Sequence, residues 1–134
     1  MKTTMKVLAT VAIVVASIAT SKAQDTIKAT AEIVSSYVWR GSIATGNNSP
    51  NIQPTLAYGH GPLEIGIWGS TDFVGGYKEF DPYIAYTINS MFKVTVTDYD
   101  WTFYTPTGTQ IKYFDYKNSE TGHMFEGTIG ITNI

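Results

Sequence analysis

Apolar and polar side chains alternate with a period of two residues through most of the chain after residue 23. Successive side chains of a β-strand point to opposite faces of a sheet, so this period predicts strands with one apolar and one polar face. No segment in this region keeps an uninterrupted helical period. We therefore predict an all-β fold of six antiparallel strands in up-and-down order, at residues 27–40, 51–58, 63–70, 78–88, 91–104 and 123–132.

The first predicted strand ends in the sequence Ser-Tyr-Val-Trp-Arg-Gly, residues 36–41, and a polar loop follows it. On one continuous strand, Tyr37 and Trp39 would share the apolar face with Ile33, because side chains two residues apart point the same way. Amphipathic rings at such a strand end suit a boundary between hydrocarbon and water. The sequence therefore predicts an aromatic strand end directly before Gly41.

Two irregularities interrupt the alternation. Pro54 falls inside the second strand, where a proline removes a ladder hydrogen bond and usually marks an edge or a bulge. The alternation also slips at residues 98–101. A bulge at that place would return Trp101 and Phe103 to the apolar side of the fifth strand.

Residues 1–23 have the features of a secretory signal peptide. Basic residues precede an apolar run at residues 7–18, and small residues allow cleavage before Gln24. The run is too short to span a bilayer, and no cysteine follows the predicted cleavage site to carry a lipid anchor. A short buried helix or an uncleaved anchor is the alternative interpretation. We expect a cleaved signal peptide and a β-barrel domain at residues 24–134.

The predicted mature chain is acidic. Lys2, Lys6 and Lys22 are three of the nine basic residues, so six remain against eleven acidic ones. A surface that binds nucleic acid needs a basic footprint, so we expect no nucleic-acid partner. The chain has no cysteine, which excludes disulfides and thiolate metal ligands. Stability must come from packing, from a partner or from a membrane.

A soluble β-barrel and a membrane β-barrel share this alternation and differ in which face meets water. The apolar face points inward in a soluble barrel and outward to lipid in an outer-membrane barrel. Alternating connection lengths favour the membrane barrel. The long connections are at residues 41–49, 71–77 and 105–122, and the short ones are at residues 59–62 and 89–90. The alternative is a secreted soluble β-barrel that binds a small apolar ligand.

Aromatic residues of the apolar faces gather at the strand ends. Membrane proteins place such rings in girdles at the two interfaces. The predicted girdle residues are Tyr37, Trp39, Tyr58, Phe80, Tyr86 and Phe92. Aromatic residues also favour strands in general, so this pattern supports the membrane barrel without excluding the soluble one.

Several short blocks of sequence resemble the Gram-negative TorF family of porins. They are Ser-Tyr-Val-Trp-Arg-Gly at 36–41, Ser-Pro-Asn-Ile-Gln-Pro at 49–54, Gly-Ile-Trp-Gly-Ser at 66–70, Glu-Phe-Asp-Pro-Tyr at 79–83, Thr-Asp-Tyr at 97–99, Phe-Asp-Tyr at 114–116 and His-Met-Phe-Glu at 123–126. The first block is the most specific. The resemblance implies a non-enzymatic β-barrel protein of the cell outer membrane, in contact with lipid, that passes a small solute or ion.

Two features depart from that family. Such barrels are longer, and their last strand commonly ends in an aromatic residue, whereas this chain ends in Asn133-Ile134. Six strands are also fewer than the eight of the smallest known membrane barrels. We therefore expect an incomplete barrel from a C-terminally truncated member of the family.

Charged residues on the predicted polar faces would line the interior if the sheet closes into a barrel. These lumen-facing candidates are Glu32, Arg40, Glu64, Glu79, Asp81, Lys93 and Glu126. They form either a charged constriction that selects ions or an ion-pair network that fills a narrow lumen. The ion-pair network is favoured for a small barrel, because about eight strands enclose little more than side chains.

No pattern of reactive residues indicates an enzyme. Glu79 and Asp81 share a face and could do acid–base work or bind a hard cation, yet no calcium-binding loop spacing is present. His60 and His123 have no partner at a metal-ligand spacing. The aromatic segment at residues 113–116 could stack on a ligand or fold over its own strands. We predict no catalytic residue, no metal site and no cofactor.

Overall fold

The computed structural model describes residues 13–14, 20–22, 25–45, 48–74, 76–100, 113–114, 116 and 121–131. No helix in these ranges is long and apolar enough to cross a membrane. The described residues form strands, which are β1 (Ile13–Val14), β2 (Thr20–Lys22), β3 (Asp25–Val34), β4 (Val38–Trp39), β5 (Ser42–Ile43), β6 (Asn51–His60), β7 (Leu63–Asp72), β8 (Lys78–Thr87), β9 (Phe92–Asp100) and β10 (His123–Ile131).

The six long strands form one antiparallel sheet in chain order, β3–β6–β7–β8–β9–β10. This order confirms the prediction of an all-β, antiparallel, up-and-down arrangement. The sheet is open rather than closed into a barrel, because β3 and β10 do not pair in the described part of the chain. Two short strands, β1 and β2, pair with β3 along its outer edge.

Long and short connections alternate along the sheet. The short ones are residues 61–62 and 88–91, and the longer ones are residues 35–50, 73–77 and 101–122. In an antiparallel meander, consecutive connections lie at opposite ends of the sheet. The short connections therefore share one end of this sheet, and the long connections share the other.

The first long strand is shorter than predicted. It ends at Val34, because the chain bends at Ser35 and Ser36. The next residues form a separate hairpin in which β4 pairs with β5. Its two central residues, Arg40 and Gly41, both have positive φ (48° and 82°), as a two-residue hairpin turn of type I′ requires. We call residues 37–44 the cover hairpin.

Pro54 lies in a central strand, where it interrupts the ladder, as expected of a proline, and causes no bulge. The β6–β7 ladder lacks pairs at Gln53 and Pro54, and it resumes in the same register at Thr55. Proline has no N–H to donate toward β7, so a gap in the ladder is the whole consequence.

The fifth long strand, β9, is also regular where a bulge was predicted. Its ladder with β10 runs without interruption from Phe92 to Asp100. The strand therefore keeps its alternation, and Asp98 and Asp100 fall on the same face as Val94 and Val96. Trp101 and Phe103, which the bulge was to reposition, lie outside the described residues.

The sheet buries its polar face and exposes its apolar face. Buried polar side chains include Asn51, Gln53, Ser70, Asp72, Glu79 and Asp81. Large apolar side chains on the opposite face are exposed, including Ile27, Leu56, Ile65, Ile67, Ile84, Val96, Ile129 and Ile131. The buried hydrophobic residues in the described ranges are Tyr37, Ala57 and Ala85. This sheet lacks the apolar core of a water-soluble domain.

The predicted signal peptide is described only at β1 and β2, and the rest of residues 1–23 lies outside the described part of the chain. Val14 pairs with Glu32 near one end of β3, and Lys22 pairs with Asp25 at the other. Both short strands occupy the edge of β3 that is not bonded to β6. Cleavage before Gln24 would therefore leave that edge without these partners.

Candidate functional site

The cover hairpin lies against the polar face of the sheet. The Tyr37 ring packs on Trp68 of β7 with centroids 5.5 Å apart, and on Tyr77 with centroids 5.9 Å apart. The Trp39 ring meets Tyr99 of β9 edge-on at 6.1 Å. The aromatic block in residues 36–41 therefore covers the inside of the curved sheet, and only 8% of Tyr37 remains exposed.

Arg40 connects the tip of the cover hairpin to the last strand. Its guanidinium forms an ion pair with Glu126 on β10 and lies 4.2 Å from the centre of the Trp39 ring. The Tyr99 hydroxyl also donates to Glu126, at 3.2 Å. The pair is partly exposed, so it contributes little to stability. The ion pair matters for the arrangement of the chain. It joins the cover hairpin, which follows β3, to β10 at the other side of the open sheet.

A cavity of about 480 Å³ lies between the cover hairpin and the polar face. Its lining residues are Tyr37, Trp39, Glu64, Trp68, Asp81, Tyr83, Lys93, Thr95, Thr97 and Tyr99. Half of these residues are aromatic, and the others are polar or charged. Glu64 and Lys93 form an ion pair at 3.1 Å in its wall. The cavity has the size and the mixture of rings and polar groups of a small-molecule site.

Tyr83 reaches this cavity because its partner on β7 is a glycine. Gly66 pairs with Tyr83 across the β7–β8 ladder, and a Cβ at Gly66 would lie 2.4 Å from the Tyr83 ring. The ring therefore lies flat over the glycine backbone and fills the space of a missing side chain. Only glycine at this position leaves the Tyr83 ring where it is.

Two buried carboxyl groups lie beside the cover hairpin on β8. Glu79 accepts a hydrogen bond from the Tyr77 hydroxyl at 2.6 Å, and Asp81 accepts one from the Asp100 backbone N–H at 3.2 Å. Burial, and then the hydrogen bond to Glu79, raise the pKa of Tyr77, so the phenol stays protonated and remains a donor. Within the described residues, neither Glu79 nor Asp81 forms an ion pair with a Lys, Arg or His side chain.

The predicted lumen-facing residues lie on one side of the sheet. Glu64, Asp81 and Lys93 line the cavity, while Glu79 lies next to it. Glu126 and Arg40 meet at its rim. Glu32 lies on the same face, opposite Gln53, but it is exposed near the edge of the sheet.

The predicted aromatic girdle divides into two groups. Tyr58, Tyr86 and Phe92 lie exposed on the apolar face near the short connections, and Phe80 lies on that face near the long ones. The assignment of Tyr37 and Trp39 to the apolar face is wrong. The bend at residues 35–36 ends β3, so the face that these two side chains occupy is set by the cover hairpin.

A second cluster, which the sequence reasoning missed, lies at the long-connection end on the apolar side. His123 of β10 places its Nδ1 atom 2.9 Å from Asp98 and its Nε2 atom 3.8 Å from Asp100. The Tyr116 ring stacks on the imidazole, with centroids 4.2 Å apart. The signal for this cluster was the slip in alternation, which places two aspartates on an apolar face. Tyr113 and Tyr116 of the aromatic segment therefore lie over their own strands.

No group of three or more His, Cys, Asp or Glu side chains in the described ranges is arranged to hold a metal ion. No protein-family model, no curated protein and no solved structure matches the chain.

Proposed function

We propose that the chain is an outer-membrane β-barrel protein that lets small solutes cross, in the manner of the TorF porins that it resembles. The observation that carries the proposal is the inverted sheet, which buries Glu79 and Asp81 and exposes Ile65 and Ile84. Water-soluble β-barrels have the opposite arrangement, whereas membrane barrels place apolar side chains toward lipid and polar side chains toward the lumen.

The lengths of the long strands support the same proposal. Each contains nine or ten residues. A transmembrane β-strand needs about 9–11 residues to cross the hydrocarbon region at its usual tilt. Short connections at one end and longer ones at the other also match the periplasmic turns and outer loops of such barrels.

Membrane insertion requires more than an open sheet. In hydrocarbon, every backbone N–H and C=O must find a partner within the protein, so a spanning sheet has to close on itself. In our proposal, the outer edges of β3 and β10 therefore pair with strands other than the six long ones, from this chain or from another copy. Removal of the signal peptide frees the edge of β3 for that pairing.

A secreted soluble barrel with an apolar ligand fits the sheet less well. Such a protein holds its ligand on an apolar inner face, as lipocalins do. Here the face that the cover hairpin encloses carries Glu64, Asp81 and Lys93. The enclosed side of this sheet is polar, which favours a water-filled passage over an apolar ligand site.

Release of trapped solutes tests the proposal. The chain without its predicted signal peptide, residues 24–134, is refolded into lipid vesicles loaded with solutes of increasing size. Folding is verified by comparing unheated and boiled samples on gels. We expect release of the smallest solutes and retention of large ones. Vesicles mixed with chain kept unfolded in urea are the control. Folded protein that sits in vesicles and releases nothing contradicts the porin proposal, and failure to enter vesicles contradicts membrane insertion.

A further inference from the structure

We propose that the cavity under the cover hairpin binds a small organic cation, such as a quaternary ammonium compound. The inference rests on the proposed function, because it assigns a substrate class to the polar interior of the same barrel. It is drawn from three properties of the cavity wall: its aromatic rings, its excess of carboxylates and its existing contact with a guanidinium.

Aromatic rings surround the cavity on several sides. Tyr37 and Trp39 come from the cover hairpin, Trp68 from β7, Tyr83 from β8 and Tyr99 from β9. The Tyr37 and Trp68 planes are inclined at 56°, and those of Trp39 and Tyr99 at 69°. Five rings from the cover hairpin and three strands therefore line one cavity. Aromatic cages of this kind recognise quaternary ammonium groups through the negative faces of the rings.

The charges of the cavity wall favour a cation over an anion. Among the described residues, Glu64 and Asp81 line the cavity and Glu79 lies beside it, while Lys93 is the cationic side chain of the wall. Lys93 is paired with Glu64. Glu79 and Asp81 are two residues apart on the buried polar face of β8. Neither carboxyl group forms an ion pair with a Lys, Arg or His side chain among the described residues.

A cationic side chain of the protein itself, that of Arg40, lies at the rim of the cavity. The Arg40 guanidinium lies 4.2 Å from the centre of the Trp39 ring and pairs with Glu126. This contact shows that the wall supports a cation–π contact with a carboxylate nearby. A free ligand that combines a compact cation with a methylated surface would find the same two features deeper inside, at Trp68 and Asp81.

An inorganic divalent cation fits the cavity less well. Such ions need six or more oxygen ligands in a defined geometry, or a cluster of His, Cys and carboxylates. The described residues hold no such cluster. A cavity of about 480 Å³ is also larger than a single metal ion needs, and it lies within the range of small-molecule sites.

Tryptophan fluorescence tests the proposal, since Trp39 and Trp68 both line the cavity. Residues 24–134 in lipid vesicles are titrated with choline at constant ionic strength, and in parallel with 3,3-dimethylbutan-1-ol, its uncharged analogue. We expect saturable binding of choline, and binding of the alcohol weaker by about tenfold or more because it lacks the cation–π and carboxylate contacts. Equal binding of the two compounds overturns the proposal in favour of a purely apolar pocket.

Three variants locate the site. Asp81→Asn and Trp68→Leu should each weaken choline binding by about tenfold, through loss of the carboxylate and of one ring respectively. Glu32→Gln removes a carboxylate from the same face outside the cavity, and it should leave binding unchanged. Loss of binding with Glu32→Gln, or no loss with Trp68→Leu, overturns the site. If Asp81→Asn does not fold, Tyr83→Leu replaces it as the second cavity variant, with the same expectation.

Failure of this proposal and failure of the porin proposal are distinguishable. Vesicles that release small neutral solutes but show no choline binding overturn the cation site alone. Vesicles that neither release solutes nor bind choline overturn both. Choline binding without release supports the cation site and contradicts an open pore.

Discussion

Arginine at position 67 or 96 will lower the free energy of unfolding in lipid by roughly 2–4 kcal/mol, the cost of an arginine facing lipid near the bilayer midplane. Ile67 lies near the middle of β7, and Val96 lies near the middle of β9. Both side chains are exposed on the apolar face. In the proposed barrel they meet hydrocarbon, where a guanidinium has no water and no counter-charge.

The matched control is Thr97→Arg, one residue further along β9. Thr97 points to the polar face, lines the cavity and pairs across the ladder with Glu126. A guanidinium there finds water and carboxylates, so its cost should be much smaller than that of Val96→Arg. Urea unfolding of the three variants in lipid vesicles measures the costs. Similar costs at positions 96 and 97 would remove the argument for a lipid-facing surface.

Tyr37→Ala will detach the cover hairpin and lower the free energy of unfolding by about 3 kcal/mol, within the range for a large buried aromatic side chain. Tyr37 is buried, and its ring packs against Trp68 of β7 and against Tyr77 in the connection between β7 and β8. Without it, the contacts that remain include the Trp39–Tyr99 ring pair and the partly exposed Arg40–Glu126 ion pair. The variant should therefore also release larger solutes from vesicles.

Val38→Ala is the control for the hairpin prediction. Val38 is the next residue along the hairpin, and 57% of it is exposed. Its truncation should change stability by less than about 0.5 kcal/mol, as is usual for surface positions. Urea unfolding followed by fluorescence compares the two variants. If Tyr37→Ala behaves like Val38→Ala, the hairpin does not cover the interior in the membrane.

The alternation of apolar and polar residues predicted the long strands and their faces, because the two-residue period of side chains along a strand is a local property. Glu64 and Ile65 take opposite faces of β7 wherever that strand is placed. The same reasoning failed for Tyr37 and Trp39. The period of two continues through the bend at Ser35 and Ser36, so sequence alone does not reveal that the strand has ended. The local signal for the hairpin turn was Gly41, which only marks a candidate reversal of the chain.

The charged side chains of the site were predictable, and their pairings were not. Glu64 and Lys93 are 29 residues apart, and Arg40 and Glu126 are 86 residues apart. Which of these charges meet depends on the register of strands and on the path of the cover hairpin. The second cluster, at His123, required the regular β9–β10 ladder to be known, because the predicted bulge would have moved Asp100 to another face.

Depth-dependent quenching of a fluorophore tests the inverted sheet most directly. The native chain has no cysteine, so single cysteines label cleanly at Ile65 and Val94 on the apolar face, and at Thr55 and Thr95 on the polar face. In vesicles we expect brominated lipids to quench the first two labels strongly and aqueous iodide to quench the last two. Equal quenching at all four positions, or the reverse pattern, would contradict the proposal that the apolar face meets lipid and the polar face lines a wet lumen.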